Sequence, residues 1–186
     1  MFCKERFAMR VGLFIATTLD GYIATTDDEL QWLFDVQGEG DNGYGHFYEG
    51  VNSIIMGRRT YEWLKREQPE QWAYKGKQTY VVSQHTFENT AEISFIKLTE
   101  LHALLSSFKA TDQKIWVVGG GQLIKYFLEQ DWVDELQVTV APVLLGKGIP
   151  LFPEGSYSRH LKLVETTTYG QFVELHYLVE KTSTTD

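Results

Sequence analysis

Apolar residues fall along this chain in short continuous runs and in helically spaced sets, and the two kinds of segment alternate. Residues 11–16 (VGLFIA), 79–82 (TYVV) and 115–118 (IWVV) are runs of the kind that form strands buried on both faces. Residues 51–56 read as a further strand, 134–140 as another, and 94–97 as a minor one. Within residues 99–109, Leu101, Leu104, Leu105 and Phe108 recur at i, i+3, i+4 and i+7, which predicts an amphipathic helix with Thr99 as its N-cap. Leu123, Ile124, Phe127 and Leu128 follow the same spacing. Shorter helices are expected at 44–50, with Phe47 on the inner face, and at 57–64. Residues 141–152 are apolar but broken by Pro142, Gly146, Gly148 and Pro150, so they predict an ordered loop more than an element. Residues 161–168 and 171–179 flank Tyr169 and Gly170. The alternation of Val173, Leu175, Tyr177 and Val179 predicts a terminal hairpin with one buried face. The pattern as a whole is that of an α/β three-layer sandwich, with a mostly parallel central sheet and an antiparallel C-terminal hairpin at its edge.

Two strands run straight into glycine and then into a helix. The first junction is Gly57, followed by Arg58, Arg59 and Thr60; the second is Gly119, Gly120 and Gly121, followed by Gln122 and Leu123. Glycines here let a ligand approach the backbone, and the unpaired N–H groups of a first helical turn attract an anion. Arg58 and Arg59 are suited to bidentate pairing with phosphate oxygens, and arginine in a first turn opposes the helix dipole, which favours a reason other than stability. The residues alone leave open a bare strand-to-helix turn, since a triple glycine lacks the spacing of the Rossmann fingerprint. A third polar strand end, at Ser83, falls on the same side of a parallel sheet, where open α/β sheets bind ligands. Two phosphate-capable junctions suit a dinucleotide better than one phosphate.

The 186 residues suffice for one domain with a real core. A formal net charge of −8 argues against general affinity for nucleic acid or an anionic membrane surface. Cys3 is the only cysteine, so no internal disulfide forms, in keeping with a cytoplasmic setting. No apolar run approaches the ~20 residues of a membrane span. His46, His85, His102, His160 and His176 offer no pair at metal-ligand spacing, and no metal is expected. Residues 1–9 read as a leader, 10–181 as a single domain and 182–186 as a polar tail. The acidic loop at 25–29 ends at Trp32, and two roles are open to it: a mobile lid, or a loop anchored to the core by that tryptophan.

Four motifs in order carry a resemblance: IATTLDGYIA at 15–24, IIMGRRTYE at 54–62, VVGGGQ at 117–122, and DEL at 134–136 running through Pro142 to Phe152 and Pro153. Over roughly residues 10–181 the chain resembles the dihydrofolate reductase-like superfamily. Within it, the similarity is to the C-terminal reductase domain of riboflavin-biosynthesis bifunctional deaminase-reductases and their stand-alone homologues. The resemblance implies a dihydrofolate reductase-like fold and a bound NADP(H). It assigns Gly57, Arg58, Arg59 and Thr60 to the cofactor phosphates and Ser83 to the adenosine 2′-phosphate side. Val118, Gly119, Gly120, Gly121, Gln122 and Leu123 fall to the pyrophosphate turn, and Ala16 and Ile23 to the nicotinamide. On the substrate side it implies Asp20, Trp32, Phe47 and Thr139. A gapless count puts Asp41 where dihydrofolate reductases keep their pterin-handling acid, with Thr139 as the threonine that supports it.

The activity so implied is an NADPH-dependent reductase, most like 5-amino-6-(5-phosphoribosylamino)uracil reductase, acting as a likewise implied homodimer. Dihydrofolate or pterin reduction is the enzymatic alternative, and an NADP-binding module without catalysis is the non-enzymatic one. A phosphorylated substrate calls for cationic groups, and the sequence offers no obvious cluster of them beyond Arg58, Arg59 and Lys147. The zinc motif of a deaminase domain is absent.

Overall fold

A computed structural model describes residues 9–85, 87–109 and 111–181 of the chain. The leader expected at 1–9 lies outside the described residues except for Met9, and so does the tail at 182–186. The elements follow in the order β1 (Arg10–Thr18), β2 (Tyr22–Ala24), α1 (Gln31–Phe34), α2 (Tyr44–Glu49), β3 (Ser53–Gly57) and α3 (Arg58–Glu67). Then come β4 (Gln78–Val82), β5 (Ile93–Ile96), α4 (Leu101–Phe108), β6 (Lys114–Gly119), α5 (Gly121–Glu129), β7 (Glu135–Ala141), β8 (Ile149–Pro150), β9 (Leu161–Tyr169) and β10 (Phe172–Val179).

The runs with the fewest polar residues lie side by side at the sheet's centre. The strand order is β5-β4-β3-β6-β1-β7-β10-β9, parallel from β5 to β7, with β10 antiparallel to both β7 and β9. Successive residues of a strand point to opposite faces, so the central runs feed two cores. On one face Val11, Leu13, Ile115 and Val117 pack with Leu101 and Leu105 of α4 and Ile124 and Phe127 of α5. On the other, Ile54, Met56 and Trp116 pack with Phe47 of α2 and Leu64 of α3. Each fully buried aliphatic side chain in these layers contributes roughly 2 kcal/mol relative to exposure. The result is an α/β three-layer sandwich with a mostly parallel sheet and antiparallel C-terminal strands.

Three local expectations change. The segment expected as a loop at 141–152 contains β8, which pairs antiparallel with β2. The loop before β8 is clipped to the end of β1 by Asp20, whose carboxylate accepts the Thr18 hydroxyl at 2.6 Å and the Gly146 N–H at 2.7 Å. Thr99 does not cap a helix. A 3-10 turn at Leu98–Glu100 precedes α4, and Glu100 reaches back to the Lys97 N–H at 2.6 Å. In the hairpin the expected parity fails near the turn: Val173 is 36% exposed, whereas Phe172 and Glu174 are buried. Their neighbours are Thr139 and Ala141 of β7 on that face of the sheet, a layer that the hairpin's own alternation does not reveal.

Candidate active site

β3 and β6 are hydrogen-bonded neighbours, so the two glycine junctions at their carboxyl ends are neighbours as well. A Cβ placed on Gly57 would lie 3.7 Å from both the Gly119 carbonyl oxygen and the Gly120 nitrogen. One placed on Gly120 would lie 3.8 Å from the Thr60 hydroxyl. Gly119 has φ +131, a conformation closed to L side chains, and its peptide bond to Gly120 is cis. Gly121 is needed for a different reason: a Cβ there would meet the Pro150 carbonyl oxygen at 2.6 Å. Thus α5 starts pressed against β8. Neither α3 nor α5 has a side-chain cap or an acid in its first turn, which leaves both helix N-termini free to face an anion.

These junctions open onto a cleft of about 650 Å³. Of the residues assigned to the cofactor, Ala16, Ile23, Gly57, Arg58, Arg59, Thr60, Val118, Gly120, Gly121, Gln122 and Leu123 line it. Arg58 pairs with Glu62 at 3.3 Å, one turn along its own helix. Arg59 reaches across the mouth to Asp28 of the acidic loop at 2.6 Å. Tyr44 and Trp116 close the inner wall. Burial, with Tyr48 adding to it, pushes the Tyr44 phenol up to about 12, so it faces the cleft as a neutral hydroxyl.

Gly119 and Ser83 are not among the lining residues. Gly119 sits one residue behind the turn. Ser83 is buried, and its hydroxyl is used within its own turn, accepting from the His85 N–H and donating to the His85 carbonyl, each at 3.0 Å. This is a serine turn motif, a structural use of the residue type at a strand end.

A second cleft, of about 350 Å³, adjoins the first through Phe14, Ala16 and Leu33. Asp41, Asn42, Thr139, Phe34, Val36 and Phe172 complete it. The structure thus brings Asp41 and Thr139 to one cavity but does not pair them. The two Asp41 carboxylate oxygens accept the N–H groups of Gly43 at 3.1 Å and Gly45 at 2.8 Å, fastening the start of α2. The acid on Thr139 is Glu174, its register partner on β10, with Thr139 Oγ1 and Glu174 Oε2 3.4 Å apart. Sequence reasoning missed Glu174, Phe14 and Leu33. Phe14 had a signal, because it shares the face of Ala16 by strand parity.

Asp20, Trp32 and Phe47, assigned to the substrate, do not line either cleft. Asp20 is the clip between β1 and the loop before β8; the Thr18 hydroxyl above all holds its carboxyl below the usual range. Trp32 is buried against Ala141 and Phe172, so of the two roles open to it the structure places it as an anchor, while Leu33, Phe34 and Val36 face the cavity. Phe47 lies one layer back, stacked on Phe14 with centroids 4.4 Å apart, and so sets the position of the ring that both clefts share.

Among the described residues no cluster of metal-ligating side chains occurs, and no helix is long and apolar enough to cross a membrane.

This site and fold have counterparts in known proteins. A family model for the RibD C-terminal domain matches residues 10–175. An uncharacterized protein of Bacillus subtilis, YwjB, is 41% identical over 170 residues, which are 89% of this chain and 95% of that protein. A crystal structure of a putative riboflavin biosynthesis protein from Shewanella sp. PV-4 superposes with a TM-score of 0.81 at 29% identity, covering 93% of this chain and all of that one. The riboflavin biosynthesis protein RibD of Corynebacterium ammoniagenes is 29% identical over 153 residues, and the match spans 75% of this chain but only 44% of that protein. Joined to the sheet order and the paired glycine junctions, these matches place the chain: it belongs to the RibD C-terminal domain family, whose fold is that of a reductase domain.

Proposed function

We propose that this chain is an NADPH-dependent reductase of a small planar heterocycle. The observation that carries the reading is the pair of uncapped helix N-termini, so close that a Cβ on Gly57 would lie 3.7 Å from the Gly120 nitrogen, flanked by Arg58, Arg59 and Thr60 in the lining of the 650 Å³ cleft. A dinucleotide fits such a cradle, since side chains at Gly57 or Gly120 would stand where phosphate oxygens approach the backbone. The bound cofactor supplies a hydride; the protein supplies orientation and exclusion of water. The two helix starts would hold the phosphates, and Ala16 and Ile23 would line the nicotinamide end. Phe14 and Leu33, shared by both clefts, hold the two partners in contact.

For the substrate, the family supports a compound like 5-amino-6-(5-phosphoribosylamino)uracil. The smaller cleft favours a second reading. Among the described residues its lining includes Asp41, Asn42 and Thr139 and no lysine or arginine, which suits an unphosphorylated ring of the pterin kind better than a phosphate ester. Saturating the protein with NADPH and following its oxidation with each substrate class tests both. Turnover with either class supports the reductase. NADPH binding without turnover on any planar heterocycle contradicts it and points to a binding module.

We infer further that the chain pairs with a second copy through β9. This edge strand leaves Leu161, Leu163 and Val164 exposed, with Leu178 of β10 beside them, and exposed apolar edges invite pairing. A sedimentation mass of one chain at working concentration contradicts the dimer.

A further inference from the structure

Ala16 on β1, Thr139 on β7 and Glu174 on β10 are register partners in one row across three strands. Ala16 lines both clefts and Thr139 lines the smaller, so the row leads from the junction of the two clefts into the sheet. Glu174 is 6% exposed, and its contact with the Thr139 hydroxyl is the carboxyl's one hydrogen bond among the described residues. A carboxylate in that position has lost most of its water and gained a single long hydrogen bond in return, which disfavours the charged form.

The surrounding groups oppose this on balance, and burial outweighs them. Burial pushes the Glu174 carboxyl up, Glu165 on β9 adds to this, and the Thr139 hydroxyl and His176 oppose it. His176 itself lies 3.7 Å from Glu135 on β7, which divides its influence. Tyr169 on β9 is pushed up by its own burial and then by Glu174, Glu165 and Asp41, so it remains a neutral phenol beside them. Asp41, the other acid near the cleft, has both oxygens occupied as acceptors of backbone N–H groups.

We propose that Glu174 is the positioning residue of the substrate cleft, a buried carboxyl that orients the Thr139 hydroxyl and, when protonated, replenishes its proton. This rests on the reductase reading. Thr139 is the only hydroxyl side chain among the residues lining that cleft, and in this proposal it is the group that would meet the substrate. In the reduction, a C=N or C=O bond of the substrate would take at carbon the hydride that a bound nicotinamide would supply, and its π pair would move to the heteroatom. The Thr139 hydroxyl, which donates to Glu174 Oε2 in the free protein, would turn to that atom and give up its proton while the Glu174 proton passes to the Thr139 oxygen. Glu174 is left as a carboxylate and regains a proton from water.

The test uses Glu174→Gln and Glu174→Asp in the whole chain, with NADPH affinity measured first by tryptophan fluorescence. In the ligand-free protein, infrared spectra should show a protonated carboxyl band that persists toward neutral pH and vanishes in Glu174→Gln. In turnover, Glu174→Gln should lose roughly 10²-fold in kcat with NADPH affinity unchanged, and its fall in rate at alkaline pH should disappear. Glu174→Asp should recover part of the rate and restore the pH dependence. A band that survives Glu174→Gln, or a pH profile identical to that of the parent protein, overturns the proposal. Loss of NADPH binding by the parent protein overturns the reductase reading instead, and the infrared result still decides the state of Glu174. If Glu174→Gln fails to fold, Thr139→Val replaces it in the kinetic arm, and an unchanged rate there is contrary to the proposal.

Discussion

The larger cleft draws its two glycine junctions from residues adjacent in sequence, at 57–60 and 120–123, each set fixed by one strand, one glycine and one helix start. The smaller cleft takes Asp41 from a loop, Thr139 from β7 and the acid behind it from β10, groups that only the sheet brings together. The first is a backbone device, whose function rests on missing side chains and free N–H groups. The second is a side-chain device, whose function rests on register.

The sharpest way to separate the two is to damage only the backbone device. Gly120 has φ −79, and a Cβ there finds 3.8 Å of room to the Thr60 hydroxyl, so a side chain is sterically admitted. Gly120→Asp should leave the circular dichroism and melting curve close to the parent's yet weaken NADPH by 10²-fold or more, about 3 kcal/mol, by placing a carboxylate in the cradle. Parent-like affinity in this variant would move the phosphates elsewhere.

Arg58→Ala should follow with a roughly tenfold loss for NADPH and a smaller one for NADH, if this exposed guanidinium reads the 2′-phosphate. Equal losses would assign it to the pyrophosphate. Asp28→Asn should act in the opposite direction. It frees Arg59 from its 2.6 Å partner across the cleft mouth and should tighten NADPH a few-fold, an effect that added salt reduces.

The contrast also accounts for what could be read in the sequence. The fold class, the parallel centre and the two glycine junctions were legible because each is written in consecutive residues. Burial on both faces shows as a continuous apolar run, and a helix start shows as the residues after a glycine. Glu174 was not legible. Alternation along β10 marks Val173 and Leu175 as inward and Glu174 as outward, yet β7 presents Thr139 to that second face and buries the acid with it. Asp41 was found by counting from the Met-Gly-Arg strand, and it does reach the cavity, but Gly43 at φ +78 opens α2 without a side chain of its own, so the helix recruits the Asp41 carboxylate. Asp20, read as a substrate residue, lies in a motif that is local in sequence but whose purpose is a clip to a loop 125 residues away.

That clip gives the smallest expected effect and a distinct signature in pH. Asp20 is held below its ordinary value of 3.8, chiefly by the Thr18 hydroxyl, so the stability it adds is present above that value and is lost as pH falls through the lower native one. The melting temperature of the parent should exceed that of Asp20→Asn at neutral pH, and the difference should close in acid. Glu174 works with the opposite sign: its raised value makes the native state costlier as pH rises, so Glu174→Gln should gain relative stability toward neutral pH.

The central claim is that both glycine junctions serve one dinucleotide. Trp63 and Trp116 line the larger cleft and report on its occupancy. Titration of the unmodified chain with NADPH should quench tryptophan emission to a single plateau at one cofactor per chain, with Gly120→Asp showing no response over the same range. No saturable quench in the unmodified chain, together with no heat of binding by calorimetry, would contradict the account.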